Sequence, residues 1–140
     1  MDAACAEATT AVARELGGAR ADLVLVFVTD HHAAGFPTLS RELAVQFPGA
    51  TIAGCTVGGA IGGGLEIEHR PALAITAAHL PGVTTAVYHL GRDRDAWLAP
   101  DHDARAVITL PWPMSCPVDE LVTWTDRVWP EATIVGGLAS

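Results

Sequence analysis

The chain writes nearly the same phrase twice. "FPGATIAGC" occupies residues 47–55 and "WPEATIVGG" residues 129–137, with five of nine positions identical. Sliding residues 23–55 onto 105–137 needs no gap. The apolar run Asp22–Thr29 then falls on Arg105–Leu110. The loop "DHHAAGFP" falls on "PWPMSCP", and Leu39 and Phe47 fall on Leu121 and Trp129. Strand, helix and strand within about 33 residues form a βαβ unit with parallel strands. Two such units are expected to share one mixed sheet. Asp22–Thr29 and Arg105–Leu110, apolar without alternation, are expected at its centre, covered on both faces.

Other stretches fill the frame. Asp2–Leu16, rich in Ala and Glu and followed by Gly17-Gly18, reads as a helix with a glycine stop. Thr38 is placed to cap a second helix, whose Leu39, Leu43 and Phe47 recur at helical spacing. Thr56–Gly64 is glycine-rich and reads as a flexible connection, and Leu65–Glu68 alternates like a strand. Residues 72–79 and 83–90 flank Pro81-Gly82, which suits a type II turn and predicts a β-hairpin. The fold class is therefore α/β: a mixed β-sheet with flanking helices, built from two repeated βαβ units plus a hairpin. One domain spans 1–140, with a first unit 21–90, a charged connector 91–104 and a second unit 105–140. The second copy stops at the residue that aligns with Gly58. Ser140 is thus expected to be a truncated end, with apolar surface left open near Trp129 and Ile134.

Charge narrows the partners. A net charge of −8 on 140 residues disfavours nucleic acid and anionic membranes, which attract basic surface. The aliphatic run Leu23–Val28 is far shorter than the roughly 20 residues of a membrane span, and the opening "MDAACAEATT" lacks the plan of a signal peptide. Three cysteines, Cys5, Cys55 and Cys116, are expected as unlinked reduced thiols in a cytoplasmic protein. All eight basic residues are Arg, and Asn is also absent, which hints at a GC-rich bacterial genome.

Several clusters carry candidate chemistry, each beside a plainer explanation. "GCTVGGAIGGG", residues 54–64, fits neither nucleotide-binding glycine spacing and has no Lys. Its backbone amides could line a pocket for a small anion, or merely connect elements. Asp30, His31 and His32 stand after the first strand, at the sheet edge where α/β ligands gather. They could touch a ligand or a metal, or Asp30 could simply start a turn. His79 and His89 fall on opposite faces of the expected hairpin and read as surface or edge residues. Cys55 is a nucleophile only if an imidazole reaches it, and a packing residue otherwise.

"ADLVLVFVTD", "FPGATIAGCTVGGAIG" and "LAITAAHLPG" together resemble the N-terminal FIST domain. "WPEATIVGGLAS" resembles that domain's second signature. The resemblance covers about Ala21–Ser140 and implies a sensory, small-ligand-binding domain of signal transduction, with amino-acid-like ligands. It also implies a C-terminal FIST domain or a signalling output domain as partner. The expected function is a non-catalytic sensory domain without cofactor or metal that binds a small metabolite. Its expected contacts are Asp30, His31, Cys55, Thr56, Gly58 and Gly59, with Trp112 and Ser115 on the matching loop of the copy. A protein–protein interaction module is the second expectation and a cysteine-dependent enzyme the third.

Overall fold

The computed structural model describes residues 2–97, 99–100 and 102–140. Positions 98 and 101 of the expected connector lie outside the described residues. The chain is α/β and forms two compact units, Met1–Val87 and Tyr88–Ser140. Among the described residues no helix is long and apolar enough to cross a membrane.

The first unit opens with α1 (Asp2–Glu15), β1 (Leu23–Thr29), α2 (Phe36–Gln46) and β2 (Thr51–Val57). Gly17 and Gly18 take positive φ and stop α1, as the sequence predicts. A 3-10 turn over Asp30–Gly35 leads straight into α2, where a loop is expected. Pro37 sits in the first helical turn, where its missing N–H is not needed, and no side chain caps the helix. Thr38 is therefore inside α2 and not its cap. β1 and β2 pair in parallel, and β5 (Leu73–Ala78) pairs antiparallel on the other side of β1, giving the mixed sheet β2–β1–β5.

The core lies on one face of that sheet. Val24 and Val26 of β1 meet Leu39 and Leu43 of α2, Phe47 just past its end, and Cys5 of α1. The residues on the opposite face, Leu23, Leu25 and Phe27, are only half-buried. β1 thus alternates in burial, correcting the expectation of a strand covered on both faces. The glycine-rich stretch is structured too. β3 (Gly59–Gly62) and β4 (Leu65–Glu68) form a hairpin closed by Gly63 and Gly64. Both glycines have positive φ, as a two-residue primed turn requires.

The hairpin expected over residues 72–90 does not form. The turn itself is present, with Val83 N–H donating to Leu80 O and Gly82 at φ 77°. Residues 83–90 form no strand, because the chain is drawn across the N-terminal end of the sheet. Asp22 carboxylate accepts the Leu80 N–H at 2.7 Å, and Thr85 Oγ1 lies 3.3 Å from Asp22 O and 2.7 Å from Thr51 Oγ1. β5 pairs with β1 instead.

The second unit contains β6 (Ala106–Thr109), α3 (Val118–Val128) and β7 (Thr133–Gly136). β6 and β7 pair in parallel as a separate two-stranded sheet. The expectation of one shared sheet with β6 buried at its centre is therefore corrected: Ala106 and Ile108 are exposed. The core of this unit is aromatic. Trp124 meets Trp97 and Trp129 edge-on at 5.7 and 5.8 Å. The indole N–H groups of Trp97 and Trp129 donate to Gly91 O and His102 O. Trp129 is buried and Ile134 half-buried, which corrects the expectation of open apolar surface at those two residues; Ile108, Met114, Val122, Val135 and Leu138 are among the exposed apolar residues of this unit. The connector supplies a core residue, Trp97, and its Arg94 pairs with Glu120 of α3.

The two strand–helix–strand stretches end alike. Phe47 N–H donates to Leu43 O and Trp129 N–H to Thr125 O, and Ala50 and Ala132 close the same next turn. The first strands differ by one position. Leu23 pairs with Thr51, whereas Ala106 pairs with Thr133. Asp22 O and Arg105 O accept the equivalent N–H groups of Thr51 and Thr133. Ala106 is therefore the counterpart of Leu23, and the gapless alignment slips by one residue in the second loop.

Candidate functional site

Parallel pairing sets the edge of the first unit. Thr29 of β1 is level with Val57 of β2, so Asp30-His31 and Gly58-Gly59 leave the sheet at the same end. This is the C-terminal edge, where ligands of α/β sheets collect. His31 Nδ1 lies 3.0 Å from Asp30 Oδ1, and both side chains are open to solvent. That contact occupies one ring nitrogen and leaves Nε2 for another group. Thr56 is half-buried and pairs with Val28, Gly58 is an exposed bend, and Gly59 opens β3. A Cβ on Gly59 would come 3.0 Å from Ile67 O, so its lack of a side chain serves the hairpin.

Cys55 sits in β2 opposite Phe27, half-buried. Burial pushes its thiol pKa up, as it does for Cys116, which works against the thiolate that nucleophilic chemistry needs. No disulfide joins the cysteines, and the described residues contain no group of three His, Cys, Asp or Glu side chains able to hold a metal.

Trp112 and Ser115 belong to the second unit and come after β6. The Ser115 and Cys116 N–H groups both donate to Trp112 O at 2.9 Å, and Ser115 Oγ lies 3.3 Å from the same oxygen. Ser115 is thus committed to a local turn, while the Trp112 indole is exposed. Ala139 N–H donates to Pro111 O, which brings residues 137–140 beside this loop at the C-terminal edge of β6 and β7.

Neither of two shallow clefts in the first unit includes the sequence-predicted residues. One, of about 260 Å³, lies between the ends of α1 and α2 and is lined by Leu16, Arg20, Phe47 and Pro48. The other, of about 140 Å³, lies between α2 and the sheet, with Phe36, Ser40 and Gly54 on its walls.

The sequence reading missed Asp22. Its carboxylate takes the Leu80 N–H and lies 3.1 Å from His79 Nδ1 and 3.6 Å from Arg20 Nε. His79 Nδ1 is also 2.9 Å from Arg20 O, a pure acceptor, so the imidazole donates there. An aspartate just before an apolar strand and a His just before a Pro-Gly turn were the available signal. The Leu80 N–H, foremost, then His79 and Arg20, hold the Asp22 pKa below the usual carboxylate range, against some burial. A carboxylate depressed in the folded state stabilises above its unfolded pKa, and that contribution disappears as pH falls through the folded value. Asp22→Ala should lower the melting temperature at neutral pH, and the difference from the unsubstituted chain should shrink as pH is taken progressively below the ordinary Asp pKa of about 3.9. Thermal melts over that pH range test this, and an undiminished difference in acid would contradict it.

Residues 22–140 match the family model described as FIST N domain. No curated protein and no solved structure matches.

Proposed function

The chain belongs to the FIST N domain family, a sensory family of signal transduction, and from that premise we propose that it binds a small amino-acid-like ligand without transforming it. The observation that carries this is the register Thr29↔Val57, which levels an exposed imidazole and carboxylate with a glycine-rich strand connection. Backbone N–H groups of a glycine-rich turn around Gly58 and Gly59 would suit a ligand carboxylate. Asp30 and His31 suit its amine or hydroxyl. Thr56 and Cys55 stand beneath them on β2. Trp112 and Ser115 mark the corresponding edge of the second unit, where the exposed indole offers an apolar contact. The proposed setting is a bacterial cytoplasmic signalling protein, with a C-terminal FIST domain or an output domain as partner. No catalytic residue, cofactor or nucleic acid enters this proposal. Calorimetry against a panel of amino acids and organic acids tests it. A Kd of roughly micromolar, about −8 kcal/mol, is expected, weakened about tenfold by His31→Ala with the fold unchanged. Absence of heat with every member of the panel would overturn it.

The second proposal is a protein interaction module, and a specific observation supports it. The second unit exposes Ile108, Val135 and Leu138 on and beside its small sheet.

A further inference from the structure

Two strand registers bring a third loop to the edge where β1 and β2 end. Gly59, two residues past β2, is level with Glu68, the last residue of β4. Leu73, the first residue of β5, is level with Val28 of β1. Just beyond that pair, Thr29 N–H donates to Ala72 O at 3.0 Å, and Ala72 N–H donates to Thr29 Oγ1 at 2.9 Å. Thr29 and Ala72 are both buried, so water does not compete for these bonds. The link His69-Arg70-Pro71 is therefore tied to the edge at both of its ends. Arg70 stands two residues from each tie, no more than about 7 Å along even an extended chain. Asp30-His31 and Gly58-Gly59 leave the sheet at this same end.

The link is also restricted in shape. Among the described residues His69, at φ 54°, is the one non-glycine residue with positive φ, a conformation that a side chain disfavours. Pro71 fixes its own φ and pushes Arg70 toward extended backbone. Arg70 is exposed, and among the described residues no carboxylate lies within ion-pair distance of it. We propose that Arg70 is the carboxylate-recognising residue of this edge, and that the ligand is an α-amino acid held as a zwitterion. The proposal rests on the reading of this edge as the ligand site. A guanidinium presents a planar fork that matches a carboxylate with two parallel N–H···O bonds. A link already shaped before the ligand arrives loses little freedom on binding. Two acidic residues flank it: Glu68 precedes it, and Asp30 follows β1 at the same edge. They suit the ligand ammonium group. An organic acid without an amine meets those carboxylates with like charge alone, and binds more weakly than the amino acid.

Two titrations of the full chain test it. Sodium acetate, the carboxylate alone, is followed by amide chemical shifts against sodium chloride at equal ionic strength. Saturable shifts at residues 58–59 and 69–72 with a Kd of roughly 10–100 mM are expected. They should be lost in Arg70→Gln and kept in Arg41→Gln, an exposed arginine of α2. The amino-acid panel is followed by calorimetry. Arg70→Gln should weaken binding of an amino acid at least about tenfold, and Arg70→Lys should weaken it less. Binding of the same amino acid's carboxamide should change less than about twofold in Arg70→Gln, because the guanidinium has no carboxylate to hold. Circular dichroism checks the fold of each variant. An amino acid whose binding weakens in His31→Ala and not in Arg70→Gln would overturn the assignment of Arg70 and leave the reading of the edge intact. Acetate saturating at Arg70 while the whole panel gives no heat would uphold the carboxylate role and overturn that reading. No saturable acetate shift near Arg70, together with a silent panel, would overturn both.

Discussion

Gly54→Ala is expected to cost roughly 3 kcal/mol or more and to break the pairing of β1 with β2. A Cβ on Gly54 would stand 1.9 Å from Val26 O and 2.7 Å from the Val26 side chain. Backbone of a paired strand cannot retreat without losing its ladder. Gly136→Ala should behave the same way, since its Cβ would stand 2.0 Å from Thr109 O. The neighbouring Gly137 supplies the control: nothing lies within 4 Å of its Cβ position, and Gly137→Ala should change stability by less than about 0.5 kcal/mol. Urea unfolding of the three variants measures the contrast. Equal effects at Gly136 and Gly137 would contradict it. The recurrence of Gly at the end of "ATI-G" thus has a steric cause, because at both places the second strand runs too close to the first for any side chain.

Trp124→Ala should cost roughly 3–5 kcal/mol, the range for emptying a large aromatic site. Trp124 is the middle of the edge-on series Trp97–Trp124–Trp129, and Leu121 completes that buried cluster. Removing it leaves both flanking indoles without their ring partner and opens a void that the short strands β6 and β7 have few other apolar groups to fill. The loss should appear in near-ultraviolet circular dichroism and in the unfolding midpoint. A variant that keeps the near-ultraviolet signal and loses under about 1 kcal/mol would show that the cluster is not the core of this unit.

The repeat made the strand–helix–strand order legible, because Leu39, Leu43 and Phe47 and their counterparts Leu121 and Trp129 must face a core at helical spacing. It did not reveal the one-residue slip of β6, since apolar residues fill either register. The hairpin expectation read Pro81-Gly82 correctly as a turn. It failed for residues 83–90, because the capture of the chain by Asp22 and Thr51 depends on contacts distant in sequence. Gly59–Gly62 was read as a flexible connection because composition hides the pairing that Gly63-Gly64 enforces. Trp97 was hidden in a charged stretch, where local polarity masked a long-range contact. In the first unit, strand direction alone made it legible that Asp30-His31 and Gly58-Gly59 leave the sheet at the same end. The two clefts beside α2 were not legible, because enclosure depends on how whole elements pack.

The proposed binding of a small amino-acid-like ligand at the C-terminal edge of β1 and β2 can be mapped residue by residue. Amide chemical-shift mapping during titration with the amino-acid and organic-acid panel tests it most directly. Saturable shifts confined to His31, Thr56, Gly58, Gly59 and their immediate neighbours are expected, lost in His31→Ala. Saturable shifts located elsewhere, or none with any member of the panel, would contradict it.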